Sequence, residues 1–331
     1  MRKAMFVGVG LTLLLVASAG AQDAQTSCPF GSSPLDPARQ TQDACQMALD
    51  VFDLMAPQLG LALTGGNATV GQGGVLGGPG HFSIGVRVNG FRGKLPDVND
   101  AAFAPRVTGA EPRRTLPTTD EWVGLPTADA AIGIFKGFPL GLSNVLGLDA
   151  LVSLSYVPTL SRDDCSVTPS SNFQFGYGAR LGLLSESIVT PGLSFTWLQR
   201  DLPKTDLVAN LGGGASLSVT DTKVSTKAWR VVASKNLVMF SVAAGIGQDR
   251  YEQSAIVRGS VSGVTAEAPG TSESLSRVNF FGDFAYNLPL LKIALEVGHA
   301  TGGTVQTYNS FSGGRADQSY TYGSLGLRLS Y

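Results

Sequence analysis

Charge is scarce in this sequence. Asp, Glu, Lys and Arg make up 15% of its 331 residues, against roughly 25% in soluble domains. Histidine is scarcer still, with only His81 and His299. Neither lies at ligand spacing from the other or from a cysteine, so no metal site is expected, nor any cofactor. There is no basic patch and the net charge is −1, which speaks against nucleic acid as a partner. Long apolar runs are also missing. Hydrophobic residues reach 43%, yet beyond residue 21 no stretch approaches the ~20 apolar residues of a spanning helix. A membrane chain without such helices must close its strands into a barrel, because lipid offers unpaired backbone groups nothing. Glycine, by contrast, is abundant at 42 residues, near double the usual share.

Only three cysteines are present. Cys28 and Cys45 are near neighbours in the N-terminal part, and a bond between them would close a loop worth about 3 kcal/mol. Cys165 is then left over.

The first residues read as an export signal. Arg2 and Lys3 precede an apolar core from Phe6 to Val16, and Ala19-Gly20-Ala21 supplies a small-x-small cleavage pattern. Cleavage is expected before Gln22, making residues 1–21 a signal peptide. At the other end, Leu325, Leu327, Leu329 and Tyr331 alternate with Ser324, Gly326, Arg328 and Ser330, two faces of one strand. A terminal aromatic closing such a strand resembles the C-terminal signal of bacterial outer-membrane barrels. That resemblance implies an outer-membrane location and handling by the barrel-assembly machinery.

Ten segments carry the two-residue period of strands. The first runs from His81 to Phe91, with Phe82, Ile84, Val86 and Val88 on one face. The clearest sets Phe173, Phe175, Tyr177, Ala179, Leu181 and Leu183 against Gln174, Gly176, Gly178, Arg180 and Gly182. The sixth, about Lys223 to Ser234, alternates poorly, and the seventh is read from Val238. Connections alternate in length. Long ones are expected near 93–127, 158–171, 201–221, 252–275 and 303–318; short ones near 138–145, 185–189, 235–237 and 287–290. Short periplasmic turns and long extracellular loops are the habit of outer-membrane barrels. The sequence thus predicts an all-β, antiparallel transmembrane barrel over residues 80–331, of about ten strands (ten to fourteen). Outer-membrane lipids surround it, and Tyr156, Tyr177, Trp197, Tyr286 and Tyr331 would stand in its aromatic girdles.

Residues 22–79 follow another pattern. Asp36-Pro37 marks a helix start. Ala44, Met47, Ala48, Val51, Leu54 and Met55 recur at helical spacing until Pro57 and Gly60, where the helix is expected to end. A stretch with nine glycines from Gly60 to Gly80 follows. The helix and this stretch form a periplasmic or lumenal, plug-like segment. Over residues 37–88, with Gly65-Gly66-Asn67-Ala68 at its middle, the arrangement resembles FadL-type transporters of hydrophobic compounds. That family has an N-terminal hatch within its barrel and releases ligand sideways. It has fourteen strands, whereas ten are counted here.

The expected lumenal lining is Arg87, Asp149, Arg180, Arg277, Asp283, Lys292, Glu296 and Arg328. These residues can be an ion-pair network that stiffens the barrel or a selectivity lining for a small solute. Ten strands enclose too little room for a general porin. Passage of a small or hydrophobic solute is the expected function, and a closed structural or surface-recognition barrel displaying its loops is the rival. Catalysis is not expected. A rim hydrolase could use His299 with Asp249 or Asp317, but no Asp-x-His pair accompanies that histidine.

Overall fold

The computed structural model describes residues 27–29, 36–162 and 164–331. The expected signal peptide and its cleavage site lie outside the described residues. Ten long strands follow one another: β1 (Phe82–Pro96), β2 (Thr118–Phe135), β3 (Gly147–Tyr156), β4 (Phe173–Leu184), β5 (Gly192–Asp201), β6 (Ala215–Leu237), β7 (Phe240–Val261), β8 (Ser272–Asn287), β9 (Leu291–Ala300) and β10 (Tyr320–Ser330). Each is antiparallel to the next, and β10 returns to β1 with Ile84 opposite Leu329 and Phe91 opposite Tyr322. The ring is closed, so no edge is left for lipid to face. At the seam Phe82 and Tyr331 exchange backbone hydrogen bonds of 3.0 and 2.9 Å.

The outward faces mark the membrane. On β1 they carry Phe82, Ile84, Val86 and Val88, then Arg92; on β7, Phe240, Val242 and Ile246, then Gln248 and Arg250. Four alternate positions span roughly 20 Å of strand, and an outward apolar stripe of this kind is the mark of an outer-membrane barrel. Of the expected girdle residues, Tyr156, Tyr177, Trp197 and Tyr331 are exposed on the outside, and Tyr286 is half-buried. Short connections gather at the end that holds both Phe82 and Tyr331, which is therefore the periplasmic end.

Strands β6 and β7 run farther than their apolar stretches. Here the sequence expectation is corrected: β6 begins at Ala215, not Lys223, and the turn lies at Val238–Met239. The expected loop at 252–275 shrinks to ten residues between β7 and β8, a short strand (Val264–Glu267) among them. Likewise the expected loop at 93–127 is strand at both ends, leaving 97–117. The cause is an inverted alternation. Above Lys227, β6 turns Ser216, Ser218, Thr220 and Ser225 outward and buries Leu217, Val219 and Val224 inside. In this part the barrel stands in water around an apolar core, so the polarity of its faces reverses.

That core is built on a helix, α1 (Asp36–Thr64). Its residues Ala44, Met47, Ala48, Val51, Phe52 and Leu54 are buried with Leu217, Val219, Val257 and Val261 of the wall. From the extracellular loops come Phe103, Leu116 and Phe311. The helix lies against β7 so closely that a Cβ on Gly259 would collide with the backbone of Cys45. Cys28 and Cys45 are disulfide-bonded at this end. The chain thus enters the ring from outside and descends through it.

The helix does not stop at Pro57, as its sequence suggested, but continues to Thr64 with Pro57 inside. Proline removes one N–H. Next to it, the Gln58 side chain ties the helix to the wall, donating to Lys94 O at 2.9 Å and accepting from Lys94 N at 2.8 Å. Enclosure by the barrel supplies what local propensity lacks. The helix ends at Gly65-Gly66, where Gly66 adopts φ 90°, a left-handed position that glycine takes without strain. Residues 65–80 then pass irregularly to the periplasmic end, with no strand over Asn67 to Val75.

Candidate functional site

An α-helix leaves its last four carbonyls without partners and carries partial negative charge at that end. The C-terminus of α1 lies in mid-barrel, far from bulk water, and has no basic residue in its own last turn. The wall provides the donors. Asn89 Nδ2 reaches Leu61 O and Ala62 O at 3.3 and 3.2 Å. Arg200 Nη1 donates to Leu63 O at 3.0 Å, Arg230 Nη2 to Thr64 O at 3.0 Å, and Arg87 Nη1 to Gly65 O at 2.7 Å. Each guanidinium is balanced in turn. Asp129 lies 2.7 Å from Arg87 and 2.9 Å from Arg200, and Asp249 lies 2.6 Å from Arg230. Asp249 Oδ2 also accepts from Thr64 Oγ1 at 3.2 Å.

Below the helix, a carboxylate pair holds the glycine-rich turn. Asp283 and Glu296 face each other across β8 and β9. Asn67 N donates to Glu296 Oε2 at 2.8 Å, and Gly71 N donates to Asp283 Oδ2 at 3.0 Å. Arg180 pairs with Asp149 at 2.7 Å and donates to Thr69 Oγ1 at 2.6 Å. Asp149 also accepts from Leu76 N at 3.1 Å.

All eight lining residues expected from the sequence lie on the inward face of their strands. The structure joins Arg180 to Asp149 and sets Asp283 beside Glu296. Arg277 pairs with no carboxylate at ion-pair distance among the described residues; it donates to Thr301 O, Gln318 O and Ala316 O and so fixes the loop before β10. Lys292 and Arg328 are opposite each other in register. Sequence reasoning did not pick out Asn89, Asp129, Arg200 and Arg230, which hold the helix end. Their only sequence signal was a polar residue on the face opposite the lipid stripe. Asp249, considered for the rim, is buried in the lumen instead, because its strand extends well past it. His299 faces outward, its Nδ1 3.1 Å from Thr321 Oγ1.

A second feature lies higher, beside the helix. An apolar cavity of about 280 Å³ is enclosed between Phe52, Met55 and Leu59 of α1 and Leu125, Leu202 and Val224 of the wall. Its side is a break in the sheet. The ladder between β2 and β3 reaches outward only to Thr127 and Ser155. Beyond it, a short sheet continues from β6 through Thr205–Gly212 and Cys165–Pro169 to Leu160–Arg162. Among the described residues no ladder joins that last strand to the outer half of β2. Trp122 from one edge and Leu160 from the other both line the cavity, and both are exposed.

The outer end is closed by loops tied to helix carboxylates. Asp43 accepts from Arg106 N at 2.7 Å and Arg114 Nη2 at 2.6 Å. Asp50 accepts from Tyr308 N at 2.8 Å, Asn309 N at 3.1 Å and Asn309 Nδ2 at 2.7 Å. Burial pushes the Asp50 carboxyl up to about 6, although these donors pull the other way.

No family model matches the chain, and no curated protein does. Solved structures of similar fold include the translocator domain of the autotransporter NalP from Neisseria meningitidis, at TM-score 0.43 and 10% identity over 87% of this chain and 99% of that one. The toluene transporter TodX from Pseudomonas putida aligns at TM-score 0.35 and 11% identity over 93% and 99%. The transport unit of the autotransporter AIDA-I from Escherichia coli aligns at 0.30 and 8% over 87% and 99%. At such scores these likenesses say nothing about a solute. The closed ring, its apolar band and its terminal seam make the chain an outer-membrane β-barrel protein.

Proposed function

We propose that this barrel takes up a compact apolar solute on the extracellular side and assists its passage, with α1 and residues 65–80 as a plug. The observation that carries the reading is the apolar cavity of about 280 Å³ between helix and wall. Pockets lined mainly by apolar side chains are the usual sites for small hydrophobic ligands. Its position beside a break in the sheet supports entry from the membrane interface. Assembly through β10 and a non-catalytic role belong to the same reading. The first is supported by the Phe82–Tyr331 seam, the second by His299 and Asp249 lying on opposite sides of the wall.

The rival reading, a closed structural or display barrel, is favoured by one specific observation: four arginines and the Asp283–Glu296 pair grip the plug. The two separate by binding. Trp122 lines the cavity, so naphthalene titrated into the protein in lipid nanodiscs should change tryptophan emission saturably. Ala62→Phe, which fills the cavity from the helix side, should abolish that change. An unsaturable response shared by both proteins would leave the structural reading.

A further inference from the structure

At the periplasmic end the chemistry is opposite. Arg328, on the inward face of β10, is 5% exposed. Its Nε, Nη1 and Nη2 all lack a hydrogen-bond partner. A buried guanidinium with its whole donor fork unused is costly and calls for an explanation. A second anomaly adjoins it. The residue opposite in the ladder is Lys292, also inward-facing, and like charges directly across a sheet repel. Neither cation forms an ion pair among the described residues. Of the nearby carboxylates, Asp283 Oδ2 and Glu296 Oε2 accept backbone N–H groups of the plug, and Asp283 Oδ1 and Glu296 Oε1 make no hydrogen bond to Arg328.

Space is present on the periplasmic side. A cavity of about 270 Å³ opens among the short turns, with Lys136, Lys235 and Lys292 on its lining and Glu186 the one carboxylate there. Glu186 Oε1 already accepts from Asn236 N, and Lys235 donates to Ser187 O and Ile188 O at 2.6 and 2.9 Å. Lys292 is the lining cation that faces Arg328 across the ladder; Arg328 itself borders a separate small pocket of about 20 Å³ beside Ser83 and Gly85. The position opposite Arg328 on β1 is Gly85, and the stem of Arg328 packs over it.

We infer that Arg328 and Lys292 form a binding site for a compact oxyanion, a carboxylate or phosphate group, entering from the periplasm. A guanidinium presents a planar fork that matches two oxygens of such a group, and a lysine adds a point charge. One anion removes both anomalies at once: it occupies the unused donors and separates the two cations. The site is independent of the apolar cavity, at the other end of the lumen.

Isothermal titration of the whole mature protein in nanodiscs, with inorganic phosphate and separately with acetate, tests this. Saturable binding of at least one oxyanion at 0.15 M salt is expected, weakened tenfold or more in Lys292→Gln and in Arg328→Gln. Bound anion should also raise the unfolding temperature of the wild type and leave that of Arg328→Gln unchanged. Because Arg328 is buried, its variant is first checked for heat-modifiable mobility; Lys292→Gln, half-exposed, carries the test if Arg328→Gln does not fold. Absence of saturable binding, or equal binding by the wild type and Lys292→Gln, overturns the site and leaves buried water as the partner of Arg328.

Discussion

Asp50 shows how one residue couples the outer cap to pH. It is buried in the water-surrounded part of the barrel, and its carboxyl is raised from 3.8 to about 6. A carboxyl raised by folding binds its proton more tightly in the folded state. The folded form is therefore favoured below pH 3.8, and that contribution is lost as pH rises through 6, by about 3 kcal/mol in all. Asp53, beside it, is shifted the same way by burial and by the charges of Glu273 and Asp50. The wild type should accordingly lose stability between pH 4 and pH 7. Asp50→Asn should flatten this dependence, at a cost in stability at every pH, because its amide nitrogen cannot accept from the N–H groups that the carboxyl oxygens accept from. Urea unfolding at several pH values measures it, and an unchanged slope in Asp50→Asn would assign the dependence to other groups.

At the scale of the element, the end of α1 is held by buried arginines paired with Asp129 and Asp249. Removing Arg230 would strand both Thr64 O and the Asp249 carboxylate, and breaking one partner of a buried pair costs roughly 3–5 kcal/mol. Arg230→Met should therefore destabilise the folded protein by that order in chemical unfolding. Arg230→Met with Asp249→Leu should recover most of the loss, since no charge is then left unpaired. If the double variant is as unstable as the single one, the helix cap rather than the ion pair carries the energy.

The elements were unequally legible in the sequence. The ring and its lipid-facing stripe were readable because outward Phe, Ile, Val and Leu alternate with polar residues on most strands. The outer halves of β6 and β7 were not, because there the apolar residues face in. The helix start was readable from Asp36-Pro37, but Pro57 hid its end, since enclosure by the wall outweighs one missing hydrogen bond. The inward charges were visible as a set. Which of them meet was not, because Asp129 holds Arg87 and Arg200 from three different strands, and no local pattern encodes such a meeting.

For the whole molecule, the question is whether the plug is the barrier. A protein lacking residues 22–79, reconstituted in liposomes and shown to be folded by heat-modifiable mobility, should leak small solutes faster than the full-length mature protein. A folded deletion that stays sealed would assign the barrier to the wall's own side chains.

The reversal of polarity along β6 has one more consequence. Trp229 and Val231 face outward below Lys227, and Ser225 and Lys223 face outward above it. The same strand is thus written for oil at one end and for water at the other. A displacement of two residues toward the periplasm would draw Lys227 into the outer edge of the hydrocarbon, where a charge on the lipid face begins to cost free energy; the opposite shift would lift Trp229 into water. The barrel carries its own waterline. Its depth of immersion is fixed by the wall, and a thicker or thinner bilayer must adjust to the protein.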